Sequence, residues 1–167
     1  MNTPTHILDI NTVFGRRLDP DPRYGADALA ADLARHQVAC ALTCSQQGVD
    51  YSPGAGNSEA LAAARRHPNL IAIGTLNPRD TFGWKAEADR CFAEGIRVFR
   101  FFPRTQGWAP ASQAFMEILH YLHQRRAIVM VGISEWGGEW NTVADVARVT
   151  APLGLPVILA ETYYANK

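Results

Sequence analysis

Two glutamates are placed for acid–base chemistry, because each follows an apolar segment of the sequence. Glu161 closes the run LPVILAE, and Glu135 lies two positions after the run AIVMVGI. Burial at the end of an apolar strand raises the pKa of a carboxyl group, which suits a general acid or base. Glu161 and Glu135 are therefore the candidate catalytic residues. The alternative for Glu161 is a structural role as partner of Arg100 or of a backbone amide.

Arg100 is the charged residue best placed to bind a substrate. It lies within the apolar segment IRVFRFF, on the same strand face as Phe102. A charged side chain in that setting needs a partner. A guanidinium binds a carboxylate through two hydrogen bonds, so Arg100 is a candidate anchor for a small carboxylated substrate. The alternative is an internal salt bridge, for which the acidic candidates are Asp9, Glu135 and Glu161.

Further polar and aromatic residues end or follow apolar segments. The candidates for substrate binding besides Arg100 are Asn11, Arg104, Ser134 and Trp136. Other polar residues at predicted strand ends are Thr43, Ser45, Gln46, Asn77, Arg79 and Thr162. The segments 105–110 (TQGWAP) and 134–140 (SEWGGEW) are the most lid-like, because glycine gives mobility and tryptophan gives contact area. Asp9 is expected to accept hydrogen bonds at its strand end, and Phe101 to pack beneath a helix.

Composition excludes several classes of function. The 167 residues suit one domain, and 47% hydrophobic with 19% charged residues indicates a globular protein. Sixteen basic residues balance sixteen acidic ones, so neither a nucleic-acid nor a membrane partner is expected. The amino terminus lacks the pattern of a signal peptide. The three cysteines have no metal-binding spacing and indicate reduced thiols, hence a cytoplasmic protein.

The elements that position these residues alternate strictly along the chain. Short apolar runs predict strands over 7–13, 38–44, 70–76, 96–102, 127–133 and 155–161. Amphipathic patterns predict helices over 26–36, 57–67, 80–95, 111–126 and 141–154. Asn57 is the expected N-cap of the second helix, and Gly95 is expected just after the third. This alternation predicts an α/β fold with parallel strands, either an open doubly wound sheet or a (β/α)₈ barrel. The dinucleotide-binding glycine fingerprint does not follow the first strand.

Several stretches together resemble the amidohydrolase-related superfamily, in particular its second branch (amidohydrolase 2). The stretches are ILDINTVFG, GNSEALAAARRHPNLIAIGTLNPRD, EGIRVFRFFP, IVMVGISE and LPVILAE. That branch contains metal-dependent hydrolases, lactonases and aromatic-acid decarboxylases on a TIM barrel. The resemblance implies one barrel domain over 1–167 with about six of eight βα units, because a complete barrel takes about 250 residues. We expect either a chain truncated at its C-terminus or a six-stranded variant.

The resemblance also implies a degenerate metal site. The superfamily's paired first-strand histidines fall on Asn11 and Val13, its fifth-strand histidine near Gly132 and its sixth-strand histidine on Glu161. Its final aspartate comes from an eighth strand that lies beyond this sequence. A catalytic zinc site needs about three protein ligands, and valine and glycine have no side-chain donor. No cofactor is therefore expected, with zinc or manganese as the alternative.

Two functions follow from these expectations. The first is a hydrolase, decarboxylase or lactonase that acts on a small carboxylated or aromatic substrate. The second is a non-catalytic relative that binds a small molecule or a protein partner. Because the first and sixth strands would leave open sheet edges, we also expect a homo-oligomer or a missing C-terminal segment.

Overall fold

The computed structural model describes residues 7–15, 21–133 and 142–160. Four predicted site residues lie outside these ranges, namely Ser134, Glu135, Trp136 and Glu161, and so does the segment 134–140. In the described ranges, no helix has the length and apolarity needed to span a bilayer.

Short parallel strands alternate with helices, as the sequence predicts. The strands are β1 (Ile7–Phe14), β2 (Val38–Ser45), β3 (Leu70–Ala72), β4 (Gly74–Thr75), β5 (Val98–Phe101), β6 (Ile128–Gly132) and β7 (Val157–Ala160). The helices are α1 (Ala26–Arg35), α2 (Gln46–Asp50), α3 (Pro53–Arg66), α4 (Trp84–Ala93), α5 (Pro103–Gln106), α6 (Gln113–Gln124) and α7 (Val143–Thr150). Every described strand pair is parallel. The expected α/β class with parallel strands is thereby confirmed.

The chain forms two compact units, Met1–Ile73 and Gly74–Lys167. In the first unit the strand order is β1-β2-β3. Its core includes Phe14 of β1, Leu33 of α1 and Leu70 of β3, which pack in one buried cluster. The apolar face of the amphipathic helix α1 is buried by this contact with the sheet. The organisation of residues 1–167 as a single domain stays a prediction.

In the second unit the strand order is β4-β5-β6-β7. Phe99 and Phe101 of β5 face the helices, since their rings contact Phe92 of α4 and Phe115 of α6 at centroid distances of 5.1 and 5.0 Å. The expectation that Phe101 packs beneath a helix is confirmed. Side chains alternate between the two faces of a strand, so Arg100 lies on the face opposite these helices.

The predicted third strand, 70–76, is instead two short strands in different sheets. β3 pairs with β2, whereas β4 pairs with β5. The change of partner occurs around Ile73, whose backbone N–H donates to the Thr43 carbonyl at 3.0 Å. Gly74 then pairs with Phe99, and a Cβ on Gly74 would lie only 2.8 Å from the Phe99 ring. An apolar run alone does not reveal such an exchange of partners.

The prediction that the second helix starts at Asn57 is wrong. α3 begins at Pro53, and the Ser52 side chain accepts a hydrogen bond from the Ala55 amide at 3.3 Å. Proline suits the first helical turn, because a backbone N–H at that position would have no intrahelical acceptor and its loss costs no hydrogen bond. Asn57 is a buried residue inside the helix. By contrast, Gly95 has the expected left-handed conformation after α4, with φ of +90°.

Candidate functional site

Arg100 is buried in β5, one residue before the end of that strand. Arg100 is only 1% exposed. In the sheet it is in register with Thr75 of β4 and Met130 of β6. Thr75 and Met130 are also buried. The guanidinium carbon lies 4.7 Å from the centroid of the Phe102 ring. This cation–π contact orients the guanidinium plane, and burial strengthens a hydrogen bond between the guanidinium and an anion.

The segment after β5 is a short ordered turn of helix that carries Arg104. Arg104 is exposed on α5, which begins at Pro103 directly after Phe102. The Gln106 amide donates to the Phe102 carbonyl at 2.9 Å, and Gly107 ends the helix with φ of +69°. Arg104 is therefore displayed within a few residues of Arg100, on backbone that hydrogen bonds hold in place.

The expectation that 105–110 forms a lid is not met. Trp108 is only 6% exposed, and its ring lies 4.6 Å from that of Phe115. Its indole N–H donates to the Gln106 side-chain oxygen at 3.0 Å, and its backbone N–H donates to the Pro103 carbonyl. A buried tryptophan that also meets its hydrogen-bonding need acts as an anchor. Sequence composition suggested mobility, but the tertiary packing removes it.

The loop between β4 and α4 adds a third arginine, Arg79, to this region. Arg79 Nη1 contacts the Gln106 carbonyl at 3.4 Å, so this loop reaches the end of α5. Two Asx-type turns shape the loop: Asn77 Oδ1 accepts from the Arg79 amide at 3.0 Å, and Asp80 Oδ1 accepts from the Gly83 amide at 3.1 Å. Three arginines therefore lie at or just beyond the carboxyl ends of β4 and β5, namely Arg79, Arg100 and Arg104. Their positive charge favours the approach of an anion.

Phe82, in the same loop, is a feature that the sequence did not reveal. It is 98% exposed. The sequence pattern placed Phe82 inside a helix over 80–95. Because α4 begins only at Trp84, Phe82 instead belongs to the loop that carries Arg79. Asp80 supplied a usable signal, since an aspartate side chain accepts hydrogen bonds from nearby backbone amides and so favours turns.

Asn11 lies in the first unit, inside β1 and not at its end. The β1–β2 register shifts between Asp9 and Thr12, so Asn11 lies at a bulge and is exposed. Its backbone N–H donates to Asp9 Oδ1 at 2.9 Å. Asp9 accepts a backbone hydrogen bond as expected, but within the strand. The bulge changes which residues share a face, and strand alternation alone does not predict it.

Ser45 forms the shortest described polar contact at a strand end of the first unit. Its hydroxyl donates to Glu59 Oε2 at 2.5 Å and accepts from the Gln47 amide at 3.1 Å. It is thus the N-cap of α2, tied to a carboxylate of α3. Phe14, the register partner of Ser45, belongs to the helix-facing core. Ser45 therefore joins the sheet to its helices.

The described residues at the expected metal positions do not fit a catalytic zinc. Val13 and Gly132 have no side-chain donor, and Asn11 offers a neutral amide at an exposed bulge. Within residues 7–15, 21–133 and 142–160, no three His, Cys, Asp or Glu side chains cluster closely enough to hold a metal ion. His120 and His123 are both exposed on α6, as expected for a surface pair.

Comparison with known proteins shows similarity in fold. No family model matches the sequence, and no curated protein matches it in sequence. One similar structure is a probable 2-pyrone-4,6-dicarboxylic acid hydrolase from Acinetobacter baumannii with citric acid bound (TM-score 0.62, 15% identity, covering 93% of this chain and 58% of that chain). Another is the 5-carboxyvanillate decarboxylase of Sphingomonas paucimobilis (0.67, 10%, 92% and 67%). A third is an uncharacterized TIM-barrel protein from Bordetella bronchiseptica (0.67, 11%, 93% and 66%).

These matches support the TIM-barrel-like fold class expected from the sequence. The chain spans 58% of the length of the first of these structures and 66% of the TIM-barrel protein. A further similar structure is an amidohydrolase from Mycobacterium avium subsp. paratuberculosis, with a TM-score of 0.51. Identities of 10–15% establish likeness of fold, and activity has to be argued from the site.

Proposed function

We propose that this chain belongs to an amidohydrolase-fold enzyme, a hydrolase or decarboxylase, that acts on a small carboxylated aromatic substrate. The observation that carries the proposal is the burial of Arg100 at the carboxyl end of β5, with its guanidinium against Phe102. In TIM barrels, the active site lies at the carboxyl ends of the strands. Two proteins of similar fold are named for substrates that are carboxylated rings.

Arg100 binds one substrate carboxylate in this proposal. A planar guanidinium matches a carboxylate through two parallel hydrogen bonds, and the Phe102 ring limits the orientations that the side chain adopts. Arg104 and Arg79 strengthen the positive potential through which an anionic substrate approaches. Asn11, Ser134 and Trp136 stay predicted substrate-binding residues.

The proton transfers are assigned to the two glutamates predicted from the sequence. Glu161 and Glu135 serve as general acid and base in hydrolysis, or deliver a proton to the ring carbon that loses its carboxylate. No step is assigned to a metal, because the positions of Asn11, Val13 and Gly132 supply too few donors.

A non-catalytic binding protein is the second candidate function. It is favoured by the same lack of side-chain donors at Val13 and Gly132. Both candidates share the carboxylate anchor, so binding alone does not distinguish them. Turnover does, and Glu161 is the residue whose substitution separates the two.

The anchor is tested by titrating isophthalate into purified protein in a calorimeter. We expect Arg100→Met to weaken binding about ten- to a hundredfold, because a charge-assisted hydrogen-bonded pair is lost. Arg100→Lys retains the charge but loses the two-pronged geometry, so it should fall between Met and wild type. Arg148→Met is the matched control, since the side chain of Arg148 is 71% exposed on α7. Unchanged affinity in Arg100→Met would contradict the proposal.

Catalysis is tested by screening aromatic carboxylates, lactones and amides for turnover. We expect Glu161→Gln to abolish turnover while isophthalate affinity stays within about threefold of wild type. Wild-type protein that binds isophthalate yet converts no compound of the screen would instead favour the non-catalytic candidate.

A further inference from the structure

Phe82 is an apolar side chain that the fold leaves almost wholly in water. It is 98% exposed, more than any other large hydrophobic residue in the described ranges. Single exposed apolar residues are common on protein surfaces, so exposure alone has no functional meaning. The position of Phe82 on a loop at the carboxyl end of β4 is the reason to consider it further.

The loop that carries Phe82 is held in shape by its own hydrogen bonds. The Asp80 amide donates to the Asn77 carbonyl at 2.9 Å, and Asp80 Oδ1 accepts from the Gly83 amide at 3.1 Å. Phe82 therefore lies between two residues joined by a hydrogen bond, and it is displayed there without packing on the protein. A benzyl group held in water on an ordered turn is available to an external apolar surface.

A chain of contacts connects this loop to Arg100. The Arg100 guanidinium lies over the Phe102 ring, and the Phe102 carbonyl accepts from the Gln106 amide. The Gln106 carbonyl in turn accepts from Arg79 Nη1 at 3.4 Å, three residues before Phe82. The loop is thus fastened to the segment that follows the arginine-bearing strand. Both ends of this connection belong to the second unit.

We infer that Phe82 is a specificity-determining residue that contacts the flat apolar body of the carboxylate bound by Arg100. This inference rests on the proposed function and deepens it by naming the feature that selects aromatic over aliphatic carboxylates. Arg79 is a positioning residue, because its contact with the Gln106 carbonyl fastens the loop beside α5. The ring of Phe82 stacks offset or edge-on against the ligand ring, the arrangement that aromatic pairs prefer.

The experiment compares two dicarboxylates that have the same number of carbon atoms between their carboxylate groups. Isophthalate carries a ring between its carboxylates, and glutarate carries a flexible alkyl chain. We expect Phe82→Ala to weaken isophthalate binding about three- to tenfold and to leave glutarate affinity unchanged. Phe82→Tyr keeps the ring and should restore isophthalate affinity, whereas Phe82→Leu should not. Because the side chain is exposed, each of these variants should fold with wild-type thermal stability.

The outcomes separate this inference from the proposed function. Loss of both ligands in Arg100→Met together with equal isophthalate affinity in Phe82→Ala and wild type would overturn the role of Phe82 alone. Retention of both ligands in Arg100→Met would overturn the proposed function itself. A fall in solution mass for Phe82→Ala, with isophthalate affinity unchanged, would show that Phe82 contacts a second copy of the chain and would also overturn the inference.

Discussion

Single side chains give the strand ends of the second sheet their positive charge. Arg100 is a buried cation stacked on Phe102, and Arg79 reaches the end of α5. Ser45 illustrates the opposite case in the first unit. It ends a strand, and its hydroxyl caps α2 and donates a hydrogen bond to Glu59. Residue type at a strand end is therefore insufficient, and the partner of the side chain assigns the role.

Asp27 provides a prediction for pH dependence at this scale. Its carboxylate contacts His67 at 2.7 Å and Arg66 at 3.2 Å, which joins α1 to the end of α3. The hydrogen bond with His67, followed by that with Arg66, lowers the pKa of Asp27 below its usual value of 3.8. A lowered pKa in the folded state stabilises the protein above 3.8, and this stabilisation is lost as the pH falls through the lowered pKa.

We expect Asp27→Asn to reduce the loss of folding stability that occurs at acid pH. The free energy of unfolding from urea titrations should fall less steeply in Asp27→Asn than in wild type between about pH 5 and pH 2. Asp32→Asn is the control, because it removes the same charge from α1, where Asp32 pairs with Arg35 of the same helix. Parallel profiles for wild type and Asp27→Asn would contradict the prediction.

At the scale of elements, short helices at strand ends have more influence than their length suggests. Neither α2 nor α5 was expected from the sequence, yet α2 follows β2 directly and α5 follows β5 closely. Helices of four or five residues leave no amphipathic period to detect. They nevertheless determine where Arg104 is displayed and where Ser45 is held.

The crossing of α2 and α3 is so close that only glycine fits. A Cβ on Gly56 would lie 2.1 Å from the Gly48 backbone nitrogen and 2.2 Å from its Cα. Backbone atoms cannot rotate away as a side chain can. We therefore expect Gly56→Ala to lower the free energy of unfolding by about 3 kcal/mol or more, which is the upper end of the range for overpacked residues.

Urea denaturation measures this effect, with Ser58→Ala as the control on the same helix. Ser58 is exposed and its hydroxyl bonds only the Gly54 carbonyl among the contacts described for it, so its replacement should change stability by less than about 0.5 kcal/mol. A Gly56→Ala variant as stable as Ser58→Ala would show that α2 is not packed against α3 as described.

At the scale of the whole molecule, alternation of strand and helix determines the fold class. Each described strand pair is parallel. Proteins of similar fold include a probable hydrolase and a decarboxylase. The apolar runs are long enough to mark strands but carry no record of which strand each one pairs with. That is why the segment 70–76 appeared as one strand and is two.

The predicted homo-oligomer belongs to this scale. β1 pairs with β2 and with no other described strand, and its residues Ile7, Leu8 and Ile10 are 49%, 52% and 41% exposed. An apolar edge strand of this kind invites pairing with another chain. We expect light scattering to give a solution mass above that of one chain, and Leu8→Lys to lower it. A monomeric wild-type protein across the accessible concentration range would contradict the prediction of self-association.

Local patterns in the sequence were sufficient for the fold class, for most element positions and for locating Arg100 as a charged residue within an apolar strand. Periodicity indicates which residues avoid water, and a lone arginine in an apolar strand can be identified from the sequence alone. The tertiary structure decided the rest: the bulge that places Asn11 inside β1, the packing that makes Trp108 an anchor, and the turn that exposes Phe82. The physical reason is that these features depend on contacts between residues far apart in the chain, or on single turns too short to leave a periodic pattern.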